Sequence, residues 1–265
     1  METSEQFKNG IVILGAGNVA THLSIALYKS GFKIKCVYSK SIENAKKLAQ
    51  KIEAHYTNEI NHLPVEADLY IIAVKDEIIE QIIAHLDLKY GIIVHTAGSI
   101  SIDIFKNRFE NYGVFYPLQT FTKNRELDFS DIPLCIEANS KILENKLFTL
   151  AKSLTKTVVY VDSENRKKLH LAAVFACNFS NHMYAIAAEI IKNSDLPFEL
   201  LIPLINETAK KAIDCNPVNA QTGPAVRNDK NVIQNHMEML KEFPEFEKIY
   251  RFVSDSINKL NQHKK

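Results

Sequence analysis

Up to Asp162 the chain alternates short, mostly apolar runs with amphipathic stretches, and beyond it only helical spacing remains. The runs fall at residues 11–14, 32–38, 69–74, 92–96, 112–116, 133–137 and 158–161. A run that is apolar at every position is a strand buried on both faces, as in a parallel sheet covered by helices. Between the runs, residues 42–54 and 77–86 carry apolar side chains at helical spacing, with Ser41 and Asp76 placed as N-caps. The expected architecture is α/β, a doubly wound parallel sheet over residues 1–162. After it the spacing predicts an all-α domain over 163–265, with helices near 164–193, 197–214, 230–243 and 245–260. The first of these would be roughly 30 residues long, against a usual length of about 11 or 12, and it contains neither Gly nor Pro. Its small-residue centre, Leu171-Ala172-Ala173-Val174-Phe175-Ala176, permits close helix contact, which a homodimer core uses more readily than one subunit of this size.

The first apolar run leads into Gly15-Ala16-Gly17-Asn18-Val19-Ala20 and then a helical pattern stopped by Gly31. Each part of that turn has a physical task. Gly15 allows the sharp turn, Gly17 keeps side-chain atoms away from a ligand's diphosphate, and Ala20 lets the helix pack close to the strand. Asn18 and Val19 open the helix, whose free N–H groups and dipole favour an anion. The expected ligand is a dinucleotide. The end of the second run, Val37-Tyr38-Ser39-Lys40-Ser41, lacks the Asp or Glu that holds the ribose hydroxyls of NAD. Ser39, Lys40 and Ser41 offer hydroxyls and a cation that suit a 2′-phosphate, so the cofactor expected is NADP. The plainer reading leaves Ser41 as a helix cap and Lys40 as a surface charge.

Composition narrows the partners. The 265 residues carry 32 basic and 31 acidic side chains, a net charge of +1, with no basic stripe for nucleic acid. Met1 to Asn9 are polar and no apolar run approaches the roughly 18 residues of a membrane helix, so the expected location is cytoplasmic with no membrane partner. Cys36, Cys135, Cys177 and Cys215 are scattered, which fits reduced, buried thiols and neither a disulfide frame nor a metal site.

Ligands of open α/β sheets bind beyond the carboxyl ends of the strands. There the sequence places Ala73-Val74-Lys75, candidates to lie along the nicotinamide ribose, and His95-Thr96-Ala97-Gly98-Ser99, with Gly98 permitting close approach of a ligand. Thr96 is a further cofactor candidate and Ser99 a substrate candidate. His95 is either a proton donor or a structural histidine. Tyr116-Pro117-Leu118-Gln119-Thr120-Phe121 would wall a substrate pocket, with Gln119 as its polar contact. On the long helix, His170, Val174, Asn178 and His182 recur every four residues near one face. Buried polar groups without partners cost about 1–3 kcal/mol each, so this stripe should line a wet cleft or a hydrogen-bonded interface. In a cleft between the domains, His170 or His182 would be the proton donor and Asn178 would orient a substrate. Arg227, in the polar loop Thr222-Gly223-Pro224-Ala225-Val226-Arg227-Asn228-Asp229, would hold a carboxylate or phosphate, or pair with Asp229.

With these motifs in this order, nearly the whole chain resembles a bacterial family, often labelled NADP oxidoreductases of the deazaflavin-dependent type, whose members join a Rossmann-like domain to a helical domain of unknown function. More distantly it is similar to pyrroline-5-carboxylate reductase and to the 6-phosphogluconate and β-hydroxyacid dehydrogenases. The resemblance implies a helical domain like the C-terminal domain of 6-phosphogluconate dehydrogenase, which dimerises and closes over the nicotinamide. Those dehydrogenases carry a Lys-x-x-x-Asn pair on the long helix; here Val174 stands four residues before Asn178, so the lysine is missing. The expected function is NADP-dependent hydride transfer to or from a small carbonyl, imine or alcohol. The missing lysine motivates an alternative, a non-catalytic NADP-binding sensor or partner-binding dimer.

Overall fold

The computed structural model describes residues 6–88 and 90–262, so the first five residues of the polar Met1–Asn9 stretch lie outside the described residues. An eight-stranded sheet has the order β3-β2-β1-β4-β5-β6-β7-β8. Its strands are β1 (Ile11–Leu14), β2 (Ile34–Tyr38), β3 (His55–Thr57), β4 (Leu69–Ile72), β5 (Ile92–His95), β6 (Tyr112–Pro117), β7 (Leu134–Ala138) and β8 (Val158–Tyr160). The helices between them are α1 (Asn18–Lys29), α2 (Ile42–Lys51), α3 (Asp76–His85) and α4 (Lys141–Lys152). The double-sided burial is plain at β1. Ile11 and Ile13 join one core cluster with Leu23 and Leu27 of α1, while Val12 and Leu14 join the other with Ile79 and Ile83 of α3.

Three local expectations are corrected. The sheet is not wholly parallel, since β6 and β7 pair antiparallel. The connection between them holds only the short helical turn Phe129–Asp131 among the described residues, and without a crossover helix the chain returns beside β6 in the opposite sense. Strand β3 was not expected, because His55-Tyr56-Thr57 is polar and exposed; its pairing with β2 makes it a strand. Asp76 is not a cap. It lies inside the first turn of α3, whose N-cap is Lys75, and its carboxylate accepts a hydrogen bond from the Ser99 hydroxyl. Ser41 does cap α2, accepting from the Asn44 N–H at 3.4 Å.

Beyond β8 the helices are α5 (Ser163–Ala173), a π-helical stretch (Val174–Phe179), α6 (Ser180–Ile191), α7 (Ile202–Asp214), α8 (Pro217–Ala220), α9 (Pro224–Arg227), α10 (Lys230–Met239) and α11 (Pro244–Gln262). The chain divides into two compact units at Cys177/Asn178, not where strands give way to helices. Arg166 explains the difference. Fully buried, it reaches from α5 to Glu137 of β7 and to the Ile100 carbonyl (2.5 Å), tying the start of the helical region to the sheet.

In the second unit, among the described residues, only Ala225, Met237 and Leu240 are buried apolar side chains. Leu171 and Phe175 of the first unit and Phe179 and Met183 of the second are 38–62% exposed. The thiols also differ from expectation: Cys36 and Cys135 are buried on strands, but Cys177 and Cys215 are exposed because they lie on these sparsely covered helices. No helix of the described residues is long and apolar enough to cross a membrane.

Candidate functional site

Strand order reverses at β1, which has β2 on one side and β4 on the other. At such a switch point the loops leaving neighbouring strands separate and open a crevice. Here a groove of about 1010 Å³ is lined by Gly15, Ala16, Gly17, Asn18 and Val19 from the first loop, Tyr38, Ser39, Lys40 and Ser41 from the second, and Ala73, Val74 and Lys75 after β4. Gly15 has φ +130°, and a Cβ there would come within 2.2 Å of the Ala73 carbonyl oxygen. Gly17 contrasts with it: a Cβ would meet nothing within 4 Å, so the space above it is open. Ala20 and Thr96, expected at the cofactor, are buried and do not line the groove. Ala20 packs in the core at 1% exposure, and the Thr96 N–H donates to the Ile72 carbonyl at 3.1 Å. Lys75 is a solvated side chain, 85% exposed and 4.0 Å from Glu77.

The carboxyl ends of β5 and β6 carry a second group of polar side chains. His95 is fully buried, its ring tilted by 30° against Phe105 with centroids 5.6 Å apart, and its Nδ1 accepts from the Ala97 N–H at 3.2 Å. That bond puts the ring proton on Nε2. Burial, reinforced by the nearby Arg166 charge, lowers the His95 pKa to about 3, so the ring is neutral. Tyr116, at the end of β6, bonds its hydroxyl to Nδ1 of His170 at 3.1 Å. Burial pushes the Tyr116 phenol up to about 12, so it keeps its proton and can donate to the imidazole. Gly98 is the third member of this contact. A Cβ there would fall 2.7 Å from the His170 ring, so the close approach that Gly98 permits is made by His170, not by a ligand as the sequence suggested.

Helix α5 holds His170 in place through an ionic cluster that sequence reasoning missed. The Arg166 guanidinium pairs with Glu137 and donates to Ser163 Oγ at 3.1 Å. The Ser163 N–H donates to Glu137 at 3.0 Å, and its hydroxyl accepts the Ile102 N–H at 3.0 Å. Only the charged residue types at 137 and 166 hinted at this, since no periodic pattern links a strand end to a helix 29 residues later.

Ser99 is exposed and occupied with Asp76, and Gln119 is exposed with its carbonyl oxygen taking the Thr120 N–H at 2.7 Å. Asn178 and His182 belong to the second unit and are exposed. Arg227 is exposed as well. Asp229 does not pair with it but caps α10, accepting from the Val232 N–H at 3.2 Å.

The donor set of the groove fits a dinucleotide with a 2′-phosphate. An open glycine faces a helix N-terminus, and a carboxylate-free corner of two serines and a lysine lies along the same groove. Residues 10–99 match the family described as NADP oxidoreductase coenzyme F420-dependent, and residues 132–257 match a domain of unknown function, DUF2520. No curated protein matches the sequence. A "putative NADP oxidoreductase" from Bacteroides fragilis is 48% identical, with 94% of this chain and 97% of that one covered and a TM-score of 0.88. Two more distant structures share the fold. A reductive aminase from Aspergillus terreus, solved with NADPH and ethyl-5-oxohexanoate, is 14% identical over 97% of this chain and 99% of its own, with a TM-score of 0.72. A 1-pyrroline-5-carboxylate reductase from Streptococcus pyogenes is 15% identical over 94% and 98%, with a TM-score of 0.58. The turn, the corner and the 48% identity lead to one conclusion: the chain belongs to the family of NADP oxidoreductases that join a nucleotide-binding domain of the coenzyme F420-dependent type to DUF2520.

Proposed function

We propose that this protein is an NADP-dependent reductase that transfers hydride to a small carbonyl or imine, or takes it from the corresponding alcohol or amine. The observation that carries the reading is the groove in which the glycine turn and the Ser39-Lys40-Ser41 corner face one ligand. The N–H groups of Asn18 and Val19 hold the diphosphate, Ser39, Lys40 and Ser41 hold the 2′-phosphate, and the backbone of Ala73 and Val74 lies along the nicotinamide side. Bound NADPH supplies the hydride.

The proton comes from His170. Its imidazolium form gives up the Nε2 proton, while the Tyr116 hydroxyl, able to donate and to accept, stays bonded to Nδ1 in either state. His95, neutral and sealed in the core, serves structure instead. Ser99 is left as a contact for the substrate, and Gln119 as a group that orients it. The test is NADPH oxidation across 2-oxo acids, cyclic imines and a deazaflavin. One class is expected to turn over, and His170→Ala is expected to abolish that turnover while NADPH affinity stays within about two-fold. Tight NADPH binding with no turnover on any class would replace the reductase by a dinucleotide sensor.

The same reading makes the protein a homodimer through its helical unit. Only three apolar side chains are buried in the unit spanning 178–262, and the exposed Leu171 and Met183 are apolar surface that a second copy would cover. Sedimentation should give a dimer, and Leu171→Asp with Met183→Asp should give a monomer of lower thermal stability. A monomeric wild-type chain would contradict it.

A further inference from the structure

The loop between β6 and β7 crosses the glycine turn. Asn18 Nδ2 donates to the Phe121 carbonyl at 2.8 Å, His22 Nε2 lies 3.0 Å from the Thr122 carbonyl, and the His22 ring stacks on Phe121 at 5.2 Å. These contacts pin the backbone at residues 121 and 122 to the first turn of α1. The next residue, Lys123, is half-buried, and its ammonium donates to the Ala16 carbonyl at 3.2 Å, between the two glycines of the turn.

That arrangement calls for an anion. Among the described residues Lys123 makes this one hydrogen bond and no ion pair, so two of its three N–H donors remain for a ligand. Ala16 itself lines the groove. Helix α1 brings no lysine or arginine to the turn, since its first basic residue after Asn18, apart from His22, is Lys29 in the last turn. Of the lysines that line the groove, Lys40 sits at the corner after β2 and Lys75 points into solvent. The helix dipole alone supplies about half a positive charge, against the two negative charges of a diphosphate.

We propose that Lys123 is the counter-cation of the bound dinucleotide's diphosphate, carried to the glycine turn by the loop that Asn18 and His22 fasten. The assignment rests on the NADP reading above, and the experiment separates the two. Calorimetry would follow NADPH and, separately, adenosine 2′-monophosphate, which shares the 2′-phosphate but lacks the diphosphate, on wild type, Lys123→Met and Lys123→Arg. Wild type should bind both ligands. Lys123→Met should lose at least about ten-fold in NADPH affinity, as expected for one charge-assisted contact, with adenosine 2′-monophosphate unchanged and a melting temperature close to wild type. Lys123→Arg should recover most of the loss.

NADPH binding by Lys123→Met within two-fold of wild type would overturn the assignment. Equal loss of both ligands without rescue by arginine would also overturn it, since Lys123 would then only brace the turn. Wild-type protein that fails to bind NADPH would remove the NADP reading itself and this assignment with it.

Discussion

Arg166→Met tests how the structure positions His170. Arg166 is 0% exposed and spends its donors on Glu137, the Ile100 carbonyl and Ser163 Oγ, with only Nε unpartnered. Methionine fills much of the side-chain volume, so the loss is mainly of charge and donors. Breaking a buried pair from one side costs about 3–5 kcal/mol, because the other charge stays behind. Glu137 is 15% exposed and keeps the Ser163 N–H and hydroxyl, which sets the expected cost at the low end, about 3 kcal/mol. For a unit of this size that is a fall in Tm of about 6–12 °C. Thermal and urea unfolding of wild type, Arg166→Met, Glu137→Gln and the double variant form a cycle. The double variant leaves no orphaned charge, so its loss should be smaller than the sum of the single losses by about 1–3 kcal/mol. A loss below about 1 kcal/mol for Arg166→Met, or simple additivity in the cycle, would refute the argument.

Three further outcomes follow from the geometry. Gly17→Ala should leave stability within about 0.5 kcal/mol, because its Cβ meets no protein atom, while NADPH affinity falls at least about ten-fold; Gly15→Ala, strained at φ +130° and driven into Ala73, should lose both, as unfolding and calorimetry would show. Since His95 has a pKa of about 3 when folded and 6.5 as its reference, the unfolded chain takes up the proton first as pH falls. Stability is therefore present above about pH 6.5 and lost below it at up to about 1.4 kcal/mol per pH unit. His95→Gln should flatten the decline between pH 6 and 4 in urea midpoints, and parallel declines would contradict the buried neutral ring. Gly98→Ala should displace the His170 imidazole from Tyr116 at a cost of about 1–3 kcal/mol, seen as a changed imidazole signal by NMR and lower turnover, and an unchanged signal would contradict the contact.

Strands buried on both faces were legible because every residue of Ile11–Leu14, Leu69–Ile72 and Ile92–His95 must leave water. His55–Thr57 was not, since an exposed edge strand is made by its partner and not by its own side chains. The direction of β7 depends on what the connection lacks, which apolar periodicity does not encode. Local chemistry was readable where one segment supplies the whole feature, as in the glycine turn and the Ser41 cap. It was opaque where partners meet only in the fold. Tyr116 and His170 are 54 residues apart and Lys123 and Ala16 are 107 apart, and neither pairing leaves a trace in spacing. The π-helical stretch at Val174–Phe179 is equally silent, because its residues would suit an α-helix.

The central claim is that the groove holds NADP through the corner after β2. Calorimetry of NADPH and NADH against wild type and a Ser39→Ala, Lys40→Ala variant tests it directly. The account predicts clear preference for NADPH that the double substitution removes by weakening NADPH and leaving NADH unchanged. Equal affinity for the two cofactors in wild type, or a preference that survives the substitutions, would contradict it.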